Sequence, residues 1–340
     1  MTRTTALRFA KRAALAAVSI IAITAVTGAT LESVMRRNTM RRYPAQGRMV
    51  DVGGGRRIQI DCRGAGSPTV VLESGLDDFG ALSWAAVHDS IARTSRVCAY
   101  SRAGIMWSDP SDVPFSTRRV AHDLHAALTG VGEHAPWVLV GHSIGGPYIT
   151  VFTSQYPAEV AGLIYVDPTH PDQFAQYNAL MGRPMQPDPS IVAVGNALAW
   201  SGLLRALPAD AQPASWPRAL AEAPPAFLPL SVHGLLAEVS AVDKTLAEAS
   251  GYRRLGQRPV VVLTAMAPAS AAELAANGIT SAEHARLRAA SKALHMSQSF
   301  WSGKGRHELV PDATHYIQLD RPDVVIRAVR EVVATVRTRP

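Results

Sequence analysis

The 340-residue chain is 47% apolar, enough to bury a substantial core, and its length permits one large or two ordinary domains. Its net charge of +7 is concentrated at one end. Residues 1–42 hold Arg3, Arg8, Lys11, Arg12, Arg36, Arg37, Arg41 and Arg42 against Glu32 alone, which leaves residues 43–340 neutral. A domain with no net positive charge lacks the footprint of a nucleic-acid binder, so no nucleic-acid partner is expected.

The first predicted element is an almost unbroken apolar run over 13–31 with basic residues on both sides. Its length lies between the apolar part of a signal peptide and a full membrane span. It predicts delivery to the cell envelope, either exported with a cleaved signal or held by a retained anchor. The expected partner of this segment is a lipid bilayer, whose anionic head groups suit the flanking charges. A basic linker follows to residue 42.

Short apolar runs predict strands over 49–52, 57–62, 69–73, 96–100, 137–140, 162–166, 259–264 and 307–310. Gly53-Gly54-Gly55 joins the first two as an antiparallel hairpin. Helical periodicity appears over 83–92, 116–128, 146–156 and 322–336. In the last, Val324, Val325, Ala328, Val332 and Val333 form an inner stripe. Alternation of such strands and helices implies an α/β fold, a mostly parallel eight-stranded sheet covered by helices on both faces. After Asp167 the alternation stops for about ninety residues rich in Ala, Leu and Pro. Helices are expected over 191–207 and 230–248, joined by turns at Pro208, Pro213, Pro217, Pro224, Pro225 and Pro229. The expected organisation is an N-terminal signal or anchor and linker over 1–42, a core over 43–168 and 258–340, and a helical cap over 169–257. Such a cap would roof a site at the strand ends and line it with apolar side chains. Cys62 and Cys98 both fall in strands, either bonded in an exported protein or buried as free thiols.

The chemistry is concentrated in Gly141-His142-Ser143-Ile144-Gly145, between the strand at 137–140 and the helix at 146–156. A nucleophile on a strained strand-to-helix turn needs small residues two positions before and after it, where the backbone passes closely. Ser143 is the candidate nucleophile. The N–H of Ile144, at the helix start, is one candidate oxyanion donor. Neither glycine cluster suits a nucleotide. Gly53-Gly54-Gly55 lacks the phosphate-loop Lys and Ser/Thr, and Gly-His-Ser-Ile-Gly-Gly is not a dinucleotide fingerprint.

Together with VVLESG at 70–75, RVCAYSRAG at 96–104, YPAEVAGLIYVDP at 156–168 and ATHYIQLDRPDVV at 313–325, the LVGHSIGG run at 139–146 resembles the α/β-hydrolase superfamily, specifically its capped serine hydrolases. One departure is Ser101, where relatives commonly carry Asp before the arginine. The resemblance implies an α/β-hydrolase fold with a helical cap, no cofactor and no metal. It implies that His315 is the general base and that the second oxyanion donor is the N–H of Leu76. His142 would shape the turn. His170 would line the pocket or serve an ordinary loop. For the acid, the resemblance offers two positions. Asp167 ends the sixth strand, while Glu273 and Glu283 follow the seventh on alanine-rich helical stretches. A Ser–His–acid set predicts hydrolysis of a small, apolar carboxylic ester through an acyl-enzyme. Other cofactor-free chemistry on an amide, thioester or C–C bond, and a catalytically silent envelope binding module, remain open readings.

Overall fold

The computed structural model describes residues 3–186, 190, 194–195, 198–206 and 213–338. Of the helix expected over 191–207, residues 191–193, 196–197 and 207 lie outside the described residues; 194, 195 and 198 are helical, but 199–202 form a turn and Leu203–Ala206 a 3₁₀ helix, so the second half is not the continuous helix expected. Eight strands form one sheet: β1 Arg48–Asp51, β2 Arg57–Arg63, β3 Thr69–Glu73, β4 Val97–Ser101, β5 Trp137–His142, β6 Val160–Val166, β7 Gly256–Ala265 and β8 Ser302–Val310. Their order is β1-β2-β4-β3-β5-β6-β7-β8. The β1–β2 and β2–β4 pairs are antiparallel and the other pairs are parallel. Cys62 and Cys98 face each other in the β2–β4 register and are joined by a disulfide.

Alternate side chains of the central strands feed two cores. Val70, Leu72, Val138 and Val140 pack on one face with Val325, Ala328, Val332 and Val333. Val71 and Leu139 pack on the other with Leu124, Leu128, Ile149 and Phe152. The C-terminal helix Pro322–Arg337 thus buries the stripe anticipated for it. Thr117–Gly130 and Gly145–Gln155 cover the opposite face.

Several elements differ from expectation. The helix expected over 230–248 is two, Arg218–Ser240 and Val242–Ser250, and the last strand, expected over 307–310, begins at Ser302. The segment 83–92 is not one helix but a 3₁₀ turn, Gly80–Trp84, followed by a short helix, His88–Ala92. It lies between sheet and cap, burying Ala81 and Trp84 toward the sheet and Phe79 and Leu82 toward the cap, which the tighter turn allows. Pro224, Pro225 and Pro229 do not mark turns, because they lie inside the helix Arg218–Ser240. A helix-interior proline costs about 3 kcal/mol. Burial of Leu220, Ala223, Phe227 and Leu236 from that helix offsets it. Finally, the basic linker is helical: α1 runs from Arg3 to Arg42 without a break. Its last turns dock on the cap, where Arg36 donates to the Pro229 carbonyl and Thr39 to that of Ala226.

Candidate active site

Ser143 follows β5 with φ of 52°, in the left-handed region that ordinary residues avoid. Conformations of this kind cost on the order of 1–3 kcal/mol and persist where surrounding bonds over-determine them. Here the Ser143 N–H donates to the Val166 carbonyl at 3.1 Å, and the Ser143 carbonyl accepts from Gly146 and Thr169, each at 2.9 Å. A Cβ on Gly145 would stand 2.7 Å from the Glu73 and Ser74 carbonyl oxygens, and one on Gly141 2.6 Å from the Gly145 oxygen. The spacing of the glycines is therefore a steric requirement of this turn.

Asp167 directly follows β6, also with positive φ (41°), and is buried. Its N–H donates to the Leu263 carbonyl, and its Oδ1 accepts from the Ala265 N–H at 2.9 Å. Its Oδ2 stands 2.7 Å from Nδ1 of His315, which follows β8. Burial pushes the Asp167 carboxyl up, but the His315 bond and the charges of His315, His295 and Arg288 outweigh it and hold the group at about 2. An ionised carboxylate only accepts, so in this bond it is Nδ1 of His315 that donates, and Nε2 faces away from the carboxylate. Glu273 and Glu283 are used otherwise. Each is the third residue of a helix and closes a capping box, with Ser270 and Thr280 respectively.

His142 is fully buried, and its Nε2 donates to the His315 carbonyl at 2.9 Å. Burial and the neighbouring His315 push it down to about 3, so it is a neutral strut under the histidine loop. Ser143 Oγ stands 3.5 Å from Thr169 Oγ1. Among the described residues its hydrogen-bond contact is with this threonine rather than with the His315 imidazole. Ser143, Ile144, Leu76, Asp167 and His315 line one cavity of about 460 Å³. Phe174, Tyr177, Met185, Val242 and Leu287 supply much of its apolar wall. His170 is buried outside that lining, where its Nδ1 accepts from the Asp172 N–H.

Several site-supporting residues carried no usable signal in the sequence. Arg102 is buried, and each of its guanidinium nitrogens is used. Nε and Nη2 grip Glu238 of the cap at 2.8 Å each, Nη1 meets Glu73 at 2.7 Å, and Nη2 also donates to the Gly75 carbonyl at 2.6 Å. In a trans peptide the carbonyl and the next N–H point opposite ways, so holding Gly75 O also fixes the direction of the Leu76 N–H. The same loop packs close to the turn, since a Cβ on Gly75 would be 3.2 Å from that of Ser143. Behind Asp167, His295 Nε2 donates to the Pro168 carbonyl at 2.7 Å, and Thr264 Oγ1 bridges His295 and His307 at 2.8 and 2.7 Å. Thr169 is adjacent to a recognisable Asp-Pro pair, but nothing in its spacing points at Ser143. Ser101, the departure from the family pattern, donates to Gln59 at 2.8 Å and accepts from the Ala81 N–H at 3.2 Å, a purely local role.

The profile of the family described as alpha/beta hydrolase fold matches residues 68–191. A 73-residue stretch is 41% identical to an uncharacterized protein of Schizosaccharomyces pombe, covering 22% of this chain and 14% of that one. The chain therefore spans only a small part of that relative. Among solved structures, a thermophilic esterase from Thermogutta terrifontis superposes with a TM-score of 0.60 at 17% identity, over 86% of this chain and 99% of the other. An enol-lactonase from Burkholderia xenovorans superposes with a TM-score of 0.59 at 15% identity, over 84% of this chain and 99% of the other. At these identities the likeness is one of fold.

Proposed function

We propose that this chain, which has the α/β-hydrolase fold, is a serine hydrolase cleaving a carboxylic ester through an acyl-enzyme. The supporting observation is a serine held at φ 52° on the turn after β5, sharing a cavity with a histidine whose far nitrogen is 2.7 Å from a buried carboxylate. On substrate binding the Ser143 hydroxyl turns from Thr169 to His315 Nε2, a contact that tightens in the reactive complex. Oγ attacks the ester carbonyl as Nε2 takes its proton. The oxyanion is received by the N–H groups of Ile144 and Leu76. The imidazolium, stabilised by Asp167, returns the proton to the departing alcohol. Water, deprotonated by the same nitrogen, then releases the acid and restores Ser143. The apolar cap wall favours an apolar acyl or alcohol group. Relatives that use a carboxylate nucleophile would need an acid where Ser143 stands.

The chain contains one helix among the described residues long and apolar enough to cross a membrane, within Lys11–Arg42. We assign it to anchoring at the cell envelope. A fluorophosphonate probe tests the chemical reading. It is expected to label the protein once, at Ser143, with turnover of a short aryl ester, and Ser143→Ala is expected to lose both. An adduct mapped to another residue, or full labelling of the alanine variant, refutes the assignment.

A further inference from the structure

The contact between α1 and the cap carries a consequence for how the enzyme sits on its membrane. The apolar run of α1 ends near Leu31, and at about 1.5 Å rise per residue its length approaches the hydrocarbon thickness of a bilayer. Glu32 closes the run. It is buried and ion-paired with Arg205 of the cap at 2.7 Å and with Arg36 at 2.9 Å. One helical turn earlier, inside the apolar run, Gly28 meets the cap backbone: a Cβ there would stand 2.6 Å from the Ser201 carbonyl oxygen. The cap turn around Ser201 is therefore about 6 Å beyond Glu32, measured toward the centre of the apolar run.

The side chains on that turn suit such a depth. Trp200 is 47% exposed and Leu203 58%, and Leu31 and Val26 of α1 itself are exposed as well. The turn also answers its own polar groups, as backbone in a low-dielectric layer must. Ser201 N–H and Oγ both donate to the Leu198 carbonyl, at 3.0 and 2.7 Å, and Leu203 N–H donates to Ser201 Oγ at 3.2 Å. Beyond Glu32 the helix turns basic with Arg36, Arg37, Arg41 and Arg42, at the level where anionic head groups would lie.

We propose that the cap edge bearing Trp200 and Leu203 is a bilayer-facing surface, held in the membrane interface by a retained α1. This rests on the anchoring assignment above, but not on the ester chemistry. The occupant is lipid because the edge is continuous with the apolar helix and is stapled to it by a buried ion pair. A surface of this kind would fix the catalytic domain in one orientation on the membrane instead of leaving it on a loose tether.

The test uses the full chain in vesicles of phosphatidylcholine and phosphatidylglycerol. Because both native cysteines are in a disulfide, Leu203→Cys can be labelled selectively with an environment-sensitive fluorophore. Phe300→Cys serves as the control, at a site 77% exposed beside the amino end of β8, the end of the sheet opposite Ser143. Doxyl-labelled lipids are expected to quench position 203 several-fold more than position 300, with the 203 emission shifted to the blue. Trp200→Cys repeats the measurement if Leu203→Cys does not fold. Equal quenching at the two sites, in protein that resists carbonate extraction, overturns the proposal and leaves the anchor standing. Release by carbonate, or an amino terminus beginning after Gly28, overturns both. Shielding of position 203 that depends on protein density and not on doxyl lipid assigns the surface to a second copy and overturns the proposal. Fluorophosphonate labelling of Ser143 in the same samples reports separately on the chemistry.

Discussion

Replacing Asp167 by Asn separates the two things this carboxylate does. Its Oδ2 receives the His315 Nδ1 proton at 2.7 Å, while Oδ1 is fixed by the Ala265 N–H at 2.9 Å. The backbone donor selects the oxygen of the new amide for the Oδ1 position, so the NH₂ group faces Nδ1 of His315. Two donors then confront each other, the imidazole adopts the other tautomer, and its Nε2 proton points at Ser143. In a well-studied protease the equivalent change lowers kcat about 10⁴-fold, or about 5 kcal/mol of transition-state stabilisation, and a similar loss is expected here. Stability changes by a smaller and separable amount. The group is depressed from 3.8 to about 2, so its contribution is present above pH 3.8 and is lost as pH falls through 2. Removing it at pH 7 therefore costs on the order of 2 kcal/mol, well below the loss in kcat. The assay is aryl-ester turnover together with thermal unfolding, in parallel with Glu273→Gln and Glu283→Gln. Those two should keep kcat and lose little stability, since glutamine at the third helical position still closes a capping box. Near-normal turnover by folded Asp167→Asn, with collapse of one glutamine variant, would refute the reasoning and move the acid to the segment after β7.

Two further outcomes follow from buried charges near the Leu76 loop. Glu238→Gln places an amide against the Arg102 fork that holds the Gly75 carbonyl. kcat should fall with KM little changed, bounded by the roughly 10²- to 10³-fold cost of losing an oxyanion donor. An unchanged kcat in a folded variant would dissociate the cap from oxyanion geometry. Asp77, buried and bonded to the Phe79 N–H, is pushed up to about 7 by desolvation. A raised acid stabilises the fold fully below its unfolded value of 3.8 and loses that contribution as pH rises through 7. The unfolding temperature of the wild type, measured relative to that of Asp77→Asn, should therefore decline between pH 4 and 8. A slope identical in the two proteins would contradict this.

Residue patterning alone located the central strands, because strands buried on both faces leave continuous apolar runs that need no partner to be recognised. It also determined the turn at Ser143, since the close backbone passage there excludes any side chain at Gly141 and Gly145. Tertiary structure decided what depends on meeting across distance. Asp167 after β6 and the two glutamates after β7 are all acids in segments that could supply the role, and only the folded chain shows one against His315 and the others closing their own helices. Glu238 and Arg102 are far apart in sequence, and nothing local distinguishes a buried helix glutamate from a solvated one. Pro224, Pro225 and Pro229 are locally helix breakers, and packing of Phe227 and its neighbours overrides that preference. The same holds at the amino end. Composition identifies an apolar helix, but its docking through Glu32 and Gly28 comes from shape and charge on the cap, which no window of sequence contains.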